Sequence, residues 1–327
     1  MSLMRAAHVT ETGGPEVLQY KEVEAPAPGP GQVLVEVAAA GVNFIDIYLR
    51  SGVYPLPLPA VLGGEGAGTV AALGEGVTGL AAGDHVAWAD GNTGSYAEYD
   101  VVAADRLVHV PDGVDLETAA AAMLQGMTAH YLLNSTWPLA AGETALVHAA
   151  AGGVGQLLTR LAKAKGARVI GTTSTEAKAR IAREAGADEV VLYTEVEDLA
   201  AEVRALTGGR GVDVVYDGVG RDTFDASLAS LRPRGLLAVF GGASGQVPPF
   251  DIQRLNRAGS VFLTRPTLVN YIATREELEW RAGEILGAVA DGSLKINVGA
   301  RYPLAQAADA HTALNGRATT GKVLLIP

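Results

Sequence analysis

The chain has 327 residues, 48% of them apolar, which is long for one domain and comfortable for two. It contains no cysteine, so disulfides, thiol nucleophiles and zinc sites built on thiolates are excluded. Its formal net charge of −11 disfavours nonspecific binding to nucleic acid, although a local basic patch can still bind one phosphate group.

The distribution of apolar residues bears on location. No apolar run reaches about eighteen residues, the length needed to cross a bilayer. The N-terminal segment also lacks the charged and then apolar pattern of a signal peptide. We therefore expect a soluble protein of the cytoplasm.

The first part of the chain has the pattern of a β-rich domain. Strand-like runs at 32–38 and 69–73 are separated by clusters of glycine and proline. Frequent glycine and proline between short strand-like runs favour a barrel-like arrangement of short strands. A helical run over 116–133 then leads into the next part of the chain.

From residue 145 onward, strand-like and helical segments alternate. Between the first two strands, Leu157, Leu158, Leu161 and Ala162 share one helical face, and Gly166 follows as a stop signal. Sustained alternation is typical of an α/β domain with a parallel, doubly wound sheet. The predicted strands are 145–150, 168–173, 189–193, 212–216, 235–240 and 260–264.

The segment 145–155, ALVHAAAGGVG, is an apolar strand that turns sharply into the start of a helix. Gly152 lets the backbone approach a phosphate closely, and Gly155 lets the helix pack on its strand. Free N–H groups and the helix dipole favour an anion there. Ala150 replaces the first glycine of G-x-G-x-x-G, but the position after the first of the alternating strands predicts a dinucleotide site.

The remainder of the chain is predicted to return to the first domain. Helical segments near 275–290 and 305–315 precede a final strand at 322–326. The predicted division is therefore a β-rich first part at 1–125, a nucleotide-binding domain at 126–265, and a return to the first domain at 266–327.

Four segments carry a resemblance to a known family. They are 41–55 (GVNFIDIYLRSGVYP), 148–155 (HAAAGGVG), 216–222 (YDGVGRD) and 264–266 (TRP). The chain resembles, over its whole length, the medium-chain dehydrogenase/reductase superfamily and within it the quinone oxidoreductases related to zeta-crystallin. This resemblance implies a GroES-like catalytic domain built from both chain ends, a Rossmann domain between them, and a cleft where NADPH meets substrate.

The resemblance also bears on metal binding. Zinc alcohol dehydrogenases of this superfamily carry a cysteine and a histidine ligand where this chain has Asn43 and Gly64. No zinc is therefore expected, and alcohol oxidation is disfavoured because nothing would polarise the alkoxide. The six histidines show no metal-ligand spacing and are interpreted as structural or surface residues. Glu65 is interpreted as a buried, hydrogen-bonded acid.

Hydride transfer without a metal needs an electron-poor acceptor held in a site that excludes water, and a quinone qualifies. The resemblance places Asn43, Tyr48 and Tyr54 beside the nicotinamide as catalytic hydrogen-bond donors. A phenol suits this role because it keeps its proton at neutral pH and can donate to a developing oxyanion. From the residues alone, both tyrosines are first interpreted as half-buried packing aromatics.

The end of the second Rossmann strand favours NADPH over NADH. Folds that prefer NAD usually present an acid there, whereas this chain reads GTTSTEAK over 171–178. Ser174 can hydrogen-bond a 2′-phosphate and Lys178 can neutralise it, unless Lys178 is only a solvated helix charge. Tyr193 matches a further phosphate contact in the resembling reductases. Glu176 is expected to face solvent in a first helical turn.

The resemblance implies further cofactor contacts. Asp46 has a simpler alternative, because it can cap a turn or a helix. Where the family often has polar side chains, this chain has Gly218, Gly242 and Ala243, so only backbone contacts are expected there. The further predicted cofactor-binding residues are Phe44, Asp46, Thr128, Tyr131, Gly152, Gly153, Val154, Gly155, Gly218, Phe240, Gly241, Gly242, Ala243, Arg265 and Arg317.

The leading hypothesis is NADPH-dependent reduction of quinones, by hydride or by one electron at a time. An alternative is reduction of the carbon–carbon double bond of enals, enones or enoyl thioesters, with Tyr54 protonating or stabilising the enolate. A third is a crystallin-like or RNA-binding protein. The acidic net charge argues against binding to RNA. Relatives commonly dimerise through the edges of their nucleotide-domain sheets, so a homodimer is expected, with the strands near 235–240 and 261–263 suited to the interface.

Overall fold

The computed structural model describes residues 3–89 and 92–327. The chain forms two compact units. Unit 1 comprises Met1–Met127 and Tyr271–Pro327, and unit 2 comprises Thr128–Asn270. The chain passes from unit 1 into unit 2 within one helix, Leu116–Tyr131, which a π-helical turn at Leu132–Thr136 extends.

The strands in chain order are β1 (Leu3–Val9), β2 (Gln19–Glu24), β3 (Gln32–Val42), β4 (Ala60–Val61), β5 (Gly66–Leu73), β6 (His85–Trp88), β7 (Tyr99–Ala103), β8 (Val108–His109), β9 (Thr144–Val147), β10 (Arg168–Thr173), β11 (Glu189–Leu192), β12 (Val212–Asp217), β13 (Leu231–Val239), β14 (Phe262–Thr264), β15 (Val298–Pro303) and β16 (Lys322–Ile326). The α-helices are α1 (Phe44–Arg50), α2 (Leu116–Tyr131), α3 (Gly153–Ala164), α4 (Glu176–Glu184), α5 (Leu199–Leu206), α6 (Phe224–Ser230), α7 (Gln253–Arg257), α8 (Arg275–Ala290) and α9 (Ala307–Asn315).

Unit 1 is built on two β-sheets. A 7-stranded sheet has the order β15-β16-β3-β5-β6-β8, with β7 paired to β3, and a 3-stranded sheet has the order β2-β1-β4. Strand β3 alternates buried and more exposed residues, so Val33, Val35 and Val37 all point into one core. This alternation is what an antiparallel sheet with one covered face requires.

The C-terminal segment completes the larger sheet of unit 1. Strand β16 pairs antiparallel with β3, with Val323 opposite Val42 and Leu325 opposite Ala40, and pairs in parallel with β15. The buried side chains of Val323 and Leu325 join the same core as those of β3. The segment after unit 2 is therefore an integral part of the β-rich unit.

Unit 2 contains a 6-stranded sheet in the order β11-β10-β9-β12-β13-β14, with every pairing parallel. Numbered from the first strand of the unit, this is the order 3-2-1-4-5-6 of dinucleotide-binding folds. The strands are apolar runs because helices cover a parallel sheet on both faces. Leu146, Ile170, Val215 and Leu237 lie in its core.

Two predicted strand ends differ from the structure for reasons of backbone geometry. Strand β9 ends at Val147, because Ala149 has a positive φ of 50° that extended backbone does not allow. Strand β14 begins only at Phe262, because Gly259 and Ser260 have φ values of 101° and 56°. Both positions belong to turns that hydrophobic patterning does not reveal.

The sheet order also corrects one part of the interface prediction. Strand β13 lies between β12 and β14, so the run at 235–240 has both edges paired and cannot join a second sheet. Strand β14 is at the end of the sheet and pairs with β13. Within the described ranges, no helix is long and apolar enough to cross a membrane.

Candidate functional site

The glycine-rich turn of unit 2 connects β9 to α3. Gly152 is the N-cap of α3 in an extended conformation, and no side chain caps the first turn of this helix. Neighbouring strands hold the turn on both sides, because the N–H of His148 donates to Tyr216 O at 3.1 Å and that of Ala150 donates to Thr172 O at 3.1 Å. Backbone N–H groups thus point out of a fixed turn, as anion binding at a helix N-terminus requires.

Close backbone approach explains the glycines of this turn. A Cβ on Gly155 would clash with Ala149 O and lie 2.8 Å from the Cα of Ala150. A Cβ on Gly152 would lie 3.1 Å from Ala149 O. The side-chain-free surface fits a bound pyrophosphate, which needs backbone approach at the first position and close helix packing at the second.

The second cofactor-related group lies at the carboxyl ends of β10 and β11. These strands pair with Thr173 opposite Leu192, so Ser174 and Tyr193 follow them side by side. Thr175 caps α4 by accepting a hydrogen bond from the N–H of Lys178 at 3.3 Å. Ser174 and Tyr193 are therefore neighbours, and Lys178 follows in the first turn of α4; their contact with a 2′-phosphate stays a prediction.

Glu176, the acid that argues against phosphate in this region, is engaged elsewhere. Its Oε1 accepts a hydrogen bond from the Arg183 guanidinium at 2.5 Å, and its side chain is mostly exposed. The expectation that Glu176 faces solvent agrees with this contact.

The loops after β12 and β13 interlock through backbone contacts. The N–H of Phe240 donates to Asp217 O at 2.8 Å, and that of Ala243 donates to Gly218 O at 3.2 Å. A Cβ on Gly218 would lie 2.9 Å from the Phe240 ring, and one on Gly241 would lie 2.5 Å from Gly218 O. Packing alone therefore requires glycine at these positions. Their backbone contacts with a cofactor stay predictions.

The other predicted cofactor residues are more scattered. Thr128 and Tyr131 are both buried near the end of α2. Arg265 follows β14 and donates to Pro266 O at 3.1 Å. Arg317 of unit 1 is exposed just beyond α9, with a positive φ of 55°. Their roles toward a cofactor stay predictions.

In unit 1, an aromatic cluster forms around α1. The rings of Tyr48 and Tyr54 meet edge to face with centroids 5.6 Å apart, and those of Phe44 and Tyr48 are 6.3 Å apart. The N–H of Tyr54 also donates to Tyr48 O at 3.1 Å. All three aromatic residues are half-buried, so the structure brings both predicted tyrosines into one partly accessible group.

Asn43 has a different environment from the one predicted. Its amide nitrogen donates to Glu65 Oε2 at 2.8 Å and to Gly41 O at 3.3 Å, and its amide oxygen accepts from Lys322 Nζ at 2.8 Å. Lys322 also forms a buried ion pair with Glu65, whose other oxygen accepts the N–H of Leu124 at 2.6 Å. Both amide hydrogens of Asn43 are therefore used inside the protein, and these contacts do not support its predicted role as a donor to substrate.

Asp46 forms the capping box of α1. Its Oδ2 accepts the backbone N–H of Asn43 at 2.8 Å and the Tyr96 hydroxyl at 2.9 Å. Its Oδ1 is buried with no hydrogen-bond partner among the described residues, an arrangement that penalises a charged carboxylate. Burial raises the pKa of Asp46 to about 7. These contacts match the alternative expectation for Asp46, a helix cap, and its contact with a cofactor stays a prediction.

A hydrogen-bonded chain continues from Asp46 through unit 1. The Tyr96 oxygen lies 3.1 Å from His311 Nε2, and His311 Nδ1 lies 3.2 Å from Arg50, which in turn donates to Gly13 O. Burial, reinforced by the positive charge of Arg50, lowers the pKa of His311 to about 3. Burial likewise raises the pKa of Tyr96 well above its ordinary value. His311 and Tyr96 are therefore both neutral near pH 7.

Sequence reasoning missed Lys322, Tyr96 and His311 as members of this polar core. Lys322 meets Glu65 across 257 positions of sequence, and His311 meets Tyr96 across 215. No local motif marks such contacts, and only the pairing of β16 with β3 brings Lys322 to Asn43. Among the described residues there is also no group of three or more His, Cys, Asp or Glu that could hold a metal ion.

Two domain families match the chain. Residues 29–112 match the alcohol dehydrogenase GroES-like domain, and residues 153–282 match the zinc-binding dehydrogenase family. With the Rossmann-type sheet of unit 2 and the β-rich sheets of unit 1, these matches define the medium-chain dehydrogenase/reductase class. The predicted fold class is confirmed.

Similar proteins are known in several bacteria. A quinone oxidoreductase of Pseudomonas aeruginosa is 50% identical over 96% of this chain and 97% of its own length. A 2-haloacrylate reductase of a Burkholderia species is 42% identical over 99% of both chains. The crystal structure of Escherichia coli quinone oxidoreductase complexed with NADPH is 44% identical, covers 100% of both chains and has a TM-score of 0.96. The chain belongs to the quinone oxidoreductase family.

Proposed function

We propose that this protein is an NADPH-dependent oxidoreductase that reduces quinones. The observation that carries the proposal is the uncapped, glycine-lined N-terminus of α3 at the end of β9, in a member of the quinone oxidoreductase family. A quinone accepts a hydride unaided, so no metal is needed to activate it. The proposal covers both hydride transfer and transfer of single electrons.

The residues of unit 2 would hold the cofactor mainly through backbone groups. Bound NADPH supplies the hydride. The N–H groups of Gly153, Val154 and Gly155 suit its pyrophosphate, because no side chain caps the first turn of α3. The interlocked loops at 217–220 and 240–243 suit its nicotinamide half, and Thr128, Tyr131, Arg265 and Arg317 remain proposed contacts.

Selectivity for NADPH is proposed to depend on Ser174, Lys178 and Tyr193. Ser174 and Tyr193 lie at adjoining strand ends and Lys178 lies in the first turn of α4. Glu176 is paired with Arg183, so its charge is partly compensated. The ammonium group of Lys178 would neutralise part of the 2′-phosphate charge, and Ser174 would donate a hydrogen bond. The E. coli relative was crystallised with NADPH, which supports this assignment.

For the acceptor, we propose Tyr48 and Tyr54 as hydrogen-bond donors. Their edge-to-face contact orients each ring against the other, which reduces the entropy lost when substrate binds. A phenol donating to the acceptor oxygen would stabilise the negative charge that develops during reduction. Asn43 is reassigned as the residue that anchors the start of α1, through its contacts to Asp46, Glu65 and Lys322.

The first prediction tests cofactor choice. Replacing Lys178 with Ala should raise the KM for NADPH roughly ten-fold, the loss of one charge-assisted contact, and leave the KM for NADH unchanged. Lys165→Ala, at the C-terminal end of α3 and away from the glycine-rich turn, is the matched control and should change neither value. Initial rates with a quinone panel and both cofactors measure these values. Equal effects of Lys178→Ala on NADPH and NADH would remove the phosphate assignment.

A second candidate function is reduction of an activated carbon–carbon double bond. The 42% identity to a 2-haloacrylate reductase favours it, because the substrate in that name is an α,β-unsaturated acid. NADPH oxidation should be compared across a quinone panel and a panel of enones, enals and 2-haloacrylates. Turnover of the unsaturated compounds with no turnover of quinones would overturn the primary proposal in favour of this one.

We also propose a cytoplasmic homodimer. Strand β14 is at the end of the parallel sheet and carries the exposed Phe262, which suits pairing with the same strand of a second copy. The cytoplasmic assignment follows from the proposed reductant, since NADPH is an intracellular cofactor.

A further inference from the structure

A chain of buried polar side chains crosses unit 2 at the carboxyl ends of its central strands. His148 Nδ1 lies 2.9 Å from Thr172 Oγ1, and His148 Nε2 lies 2.9 Å from Ser227 Oγ. Ser227 Oγ donates to Asp217 Oδ2 at 2.7 Å. All four side chains are buried, and none has a role in the function proposed above.

The donors and acceptors fix the direction of this chain. Ser227 has one hydroxyl hydrogen, which goes to Asp217, so its oxygen accepts from His148 Nε2–H. His148 Nδ1 then accepts the hydroxyl hydrogen of Thr172. Burial lowers the pKa of His148, in agreement with a neutral ring. The hydrogen bonds run one way, from Thr172 through His148 and Ser227 to the carboxylate of Asp217.

Three of the four members stand beside a segment proposed to bind the cofactor. Thr172 lies in β10, two positions before Ser174, and His148 directly precedes the turn that leads into Gly152. Asp217 ends β12, and its Oδ1 accepts the N–H of Val219 at 2.8 Å and that of Gly220 at 3.0 Å. The side-chain chain therefore joins the phosphate end of the candidate site to the loop at 217–220.

Asp217 also anchors the neighbouring loop. Its backbone oxygen accepts the N–H of Phe240, and the loop at 240–243 rests on Gly218 through Ala243. Thr223 of the following segment donates its hydroxyl to both carboxylate oxygens, at 2.8 and 2.7 Å. The carboxylate of Asp217 thus fixes the loop at 217–220, and the loop at 240–243 in turn rests on the backbone of Asp217 and Gly218.

We propose that His148 and Ser227 are positioning residues that hold the loop at 217–220 in register with the glycine-rich turn. The inference rests on the proposed function and deepens it. The turn keeps its backbone bonds to Tyr216 and Thr172 when the side-chain chain is broken, so affinity for NADPH persists. The loop at 217–220 keeps the strand pairing at Tyr216 but loses its side-chain link to the turn, so the reacting ring is aligned less well and turnover falls.

Ser227→Ala is the decisive variant, and α6 offers a matched control. Ser230 is also buried in α6, but its hydroxyl donates within the helix to Ala226 O at 2.7 Å. We expect Ser227→Ala to lower kcat roughly ten-fold while the Kd for NADPH changes less than about two-fold. Ser230→Ala should change neither value. Stopped-flow or steady-state rates give kcat, and quenching of protein fluorescence gives the Kd.

A second variant keeps the test valid if Ser227→Ala folds poorly. His148→Gln should reproduce the fall in kcat, and the double variant should lose little more than either single one, because both changes break the same chain. Additive losses, or an equal loss in Ser230→Ala, would show that the effect is general destabilisation. A Kd that rises in proportion to the fall in kcat would also overturn the inference.

Nitrogen NMR of histidine gives a readout independent of activity. In the wild-type protein, His148 should be neutral at about pH 7 with its proton on Nε2, and Ser227→Ala should disturb this tautomer while Ser230→Ala should not. A proton on Nδ1, or a charged ring, would contradict the deduced direction. If the wild type reduces no quinone, the proposed function fails. The tautomer, and kcat with the acceptor that is turned over, still decide the role of His148.

Discussion

Asp46 and His311 make hydrogen bonds to the same phenol, that of Tyr96, and burial favours the neutral form of each, that of Asp46 below about pH 7 and that of His311 above about pH 3. Their effects on stability have opposite signs. The neutral carboxyl of Asp46 contributes stability at acid pH that is lost as pH rises from 3.8 through about 7. The neutral ring of His311 contributes stability above pH 6.5 that is lost as pH falls toward about 3. Between about pH 4 and 6.5 their effects on the slope of unfolding free energy against pH cancel.

This cancellation predicts opposite pH profiles for two variants. His311→Gln should make the free energy of unfolding fall with rising pH, relative to the wild type, by up to about 1.4 kcal/mol per pH unit. Asp46→Asn should make it rise by a similar amount over the same range. Urea unfolding at several pH values between about 4 and 6.5 measures both slopes.

The double variant is the control for this pair. With both groups gone, the pH profile should again run parallel to that of the wild type. Profiles of the single variants that also run parallel to the wild type would mean that Asp46 and His311 are not held neutral.

At the scale of residues, the sequence predicted local groups better than long-range ones. Ser174 and Lys178 lie within one strand end and the helix that follows, so their proximity is a matter of local chain geometry. Asn43 was expected to face substrate, and its actual partners, Glu65 and Lys322, could not be foreseen because they come from two distant parts of the chain. A buried amide takes whatever partners the tertiary fold provides.

Among the elements, the turn between β9 and α3 has the strictest steric limits. Gly155→Ala would push a Cβ against Ala149 O and Ala150, backbone atoms that cannot move without shifting the turn. We expect a loss of about 1–3 kcal/mol in unfolding free energy and weaker binding of NADPH. Urea unfolding and fluorescence titration measure the two effects.

Gly283 provides the matched control for this substitution. It lies inside α8, where an added Cβ would meet nothing within 4 Å. Gly283→Ala should therefore stabilise the protein by about 0.5–1 kcal/mol through helix propensity, with no effect on NADPH. If Gly155→Ala proved as harmless as Gly283→Ala, the turn would not be packed as described.

Elements with a strong periodic pattern were predicted well. The helix at 275–290 and the strands at 168–173 and 322–326 have the predicted bounds. Whereas β3 extends further and β5 and β13 begin earlier than predicted, two errors fall where the backbone enters the left-handed region, at Ala149 and Ser260. These residues show no glycine or asparagine signal, because tertiary contacts rather than local preference impose their conformation.

For the whole molecule, the proposed dimer makes a direct prediction. Phe262 is 58% exposed on the terminal strand β14, and Phe262→Arg would place charges at the centre of a β14–β14 interface. The variant should have half the mass of the wild type in light scattering. Leu3→Arg, at a position 63% exposed on β1, is the control and should remain dimeric. A monomeric wild type, or a dimeric Phe262→Arg variant, would rule out this interface.

The alternation of strands and helices was sufficient to predict a parallel sheet, because right-handed crossovers leave few topologies for such a pattern. It did not show which strand would be exposed. That property depends on the strand order β12-β13-β14, which places the apolar run at 235–240 inside the sheet. Two apolar strands can look alike in sequence and still differ in access to a partner.

The pairing of β16 with β3 has a consequence for biosynthesis. Unit 2, residues 128–270, leaves the ribosome in full before residue 322 is made, so it can fold while unit 1 still lacks a strand. During that interval the carboxylate of Glu65 lacks the ammonium group of Lys322, and the edge of β3 that will pair with β16 is unpaired. The nascent chain therefore carries a complete nucleotide-binding unit beside a β-rich unit that still lacks β16.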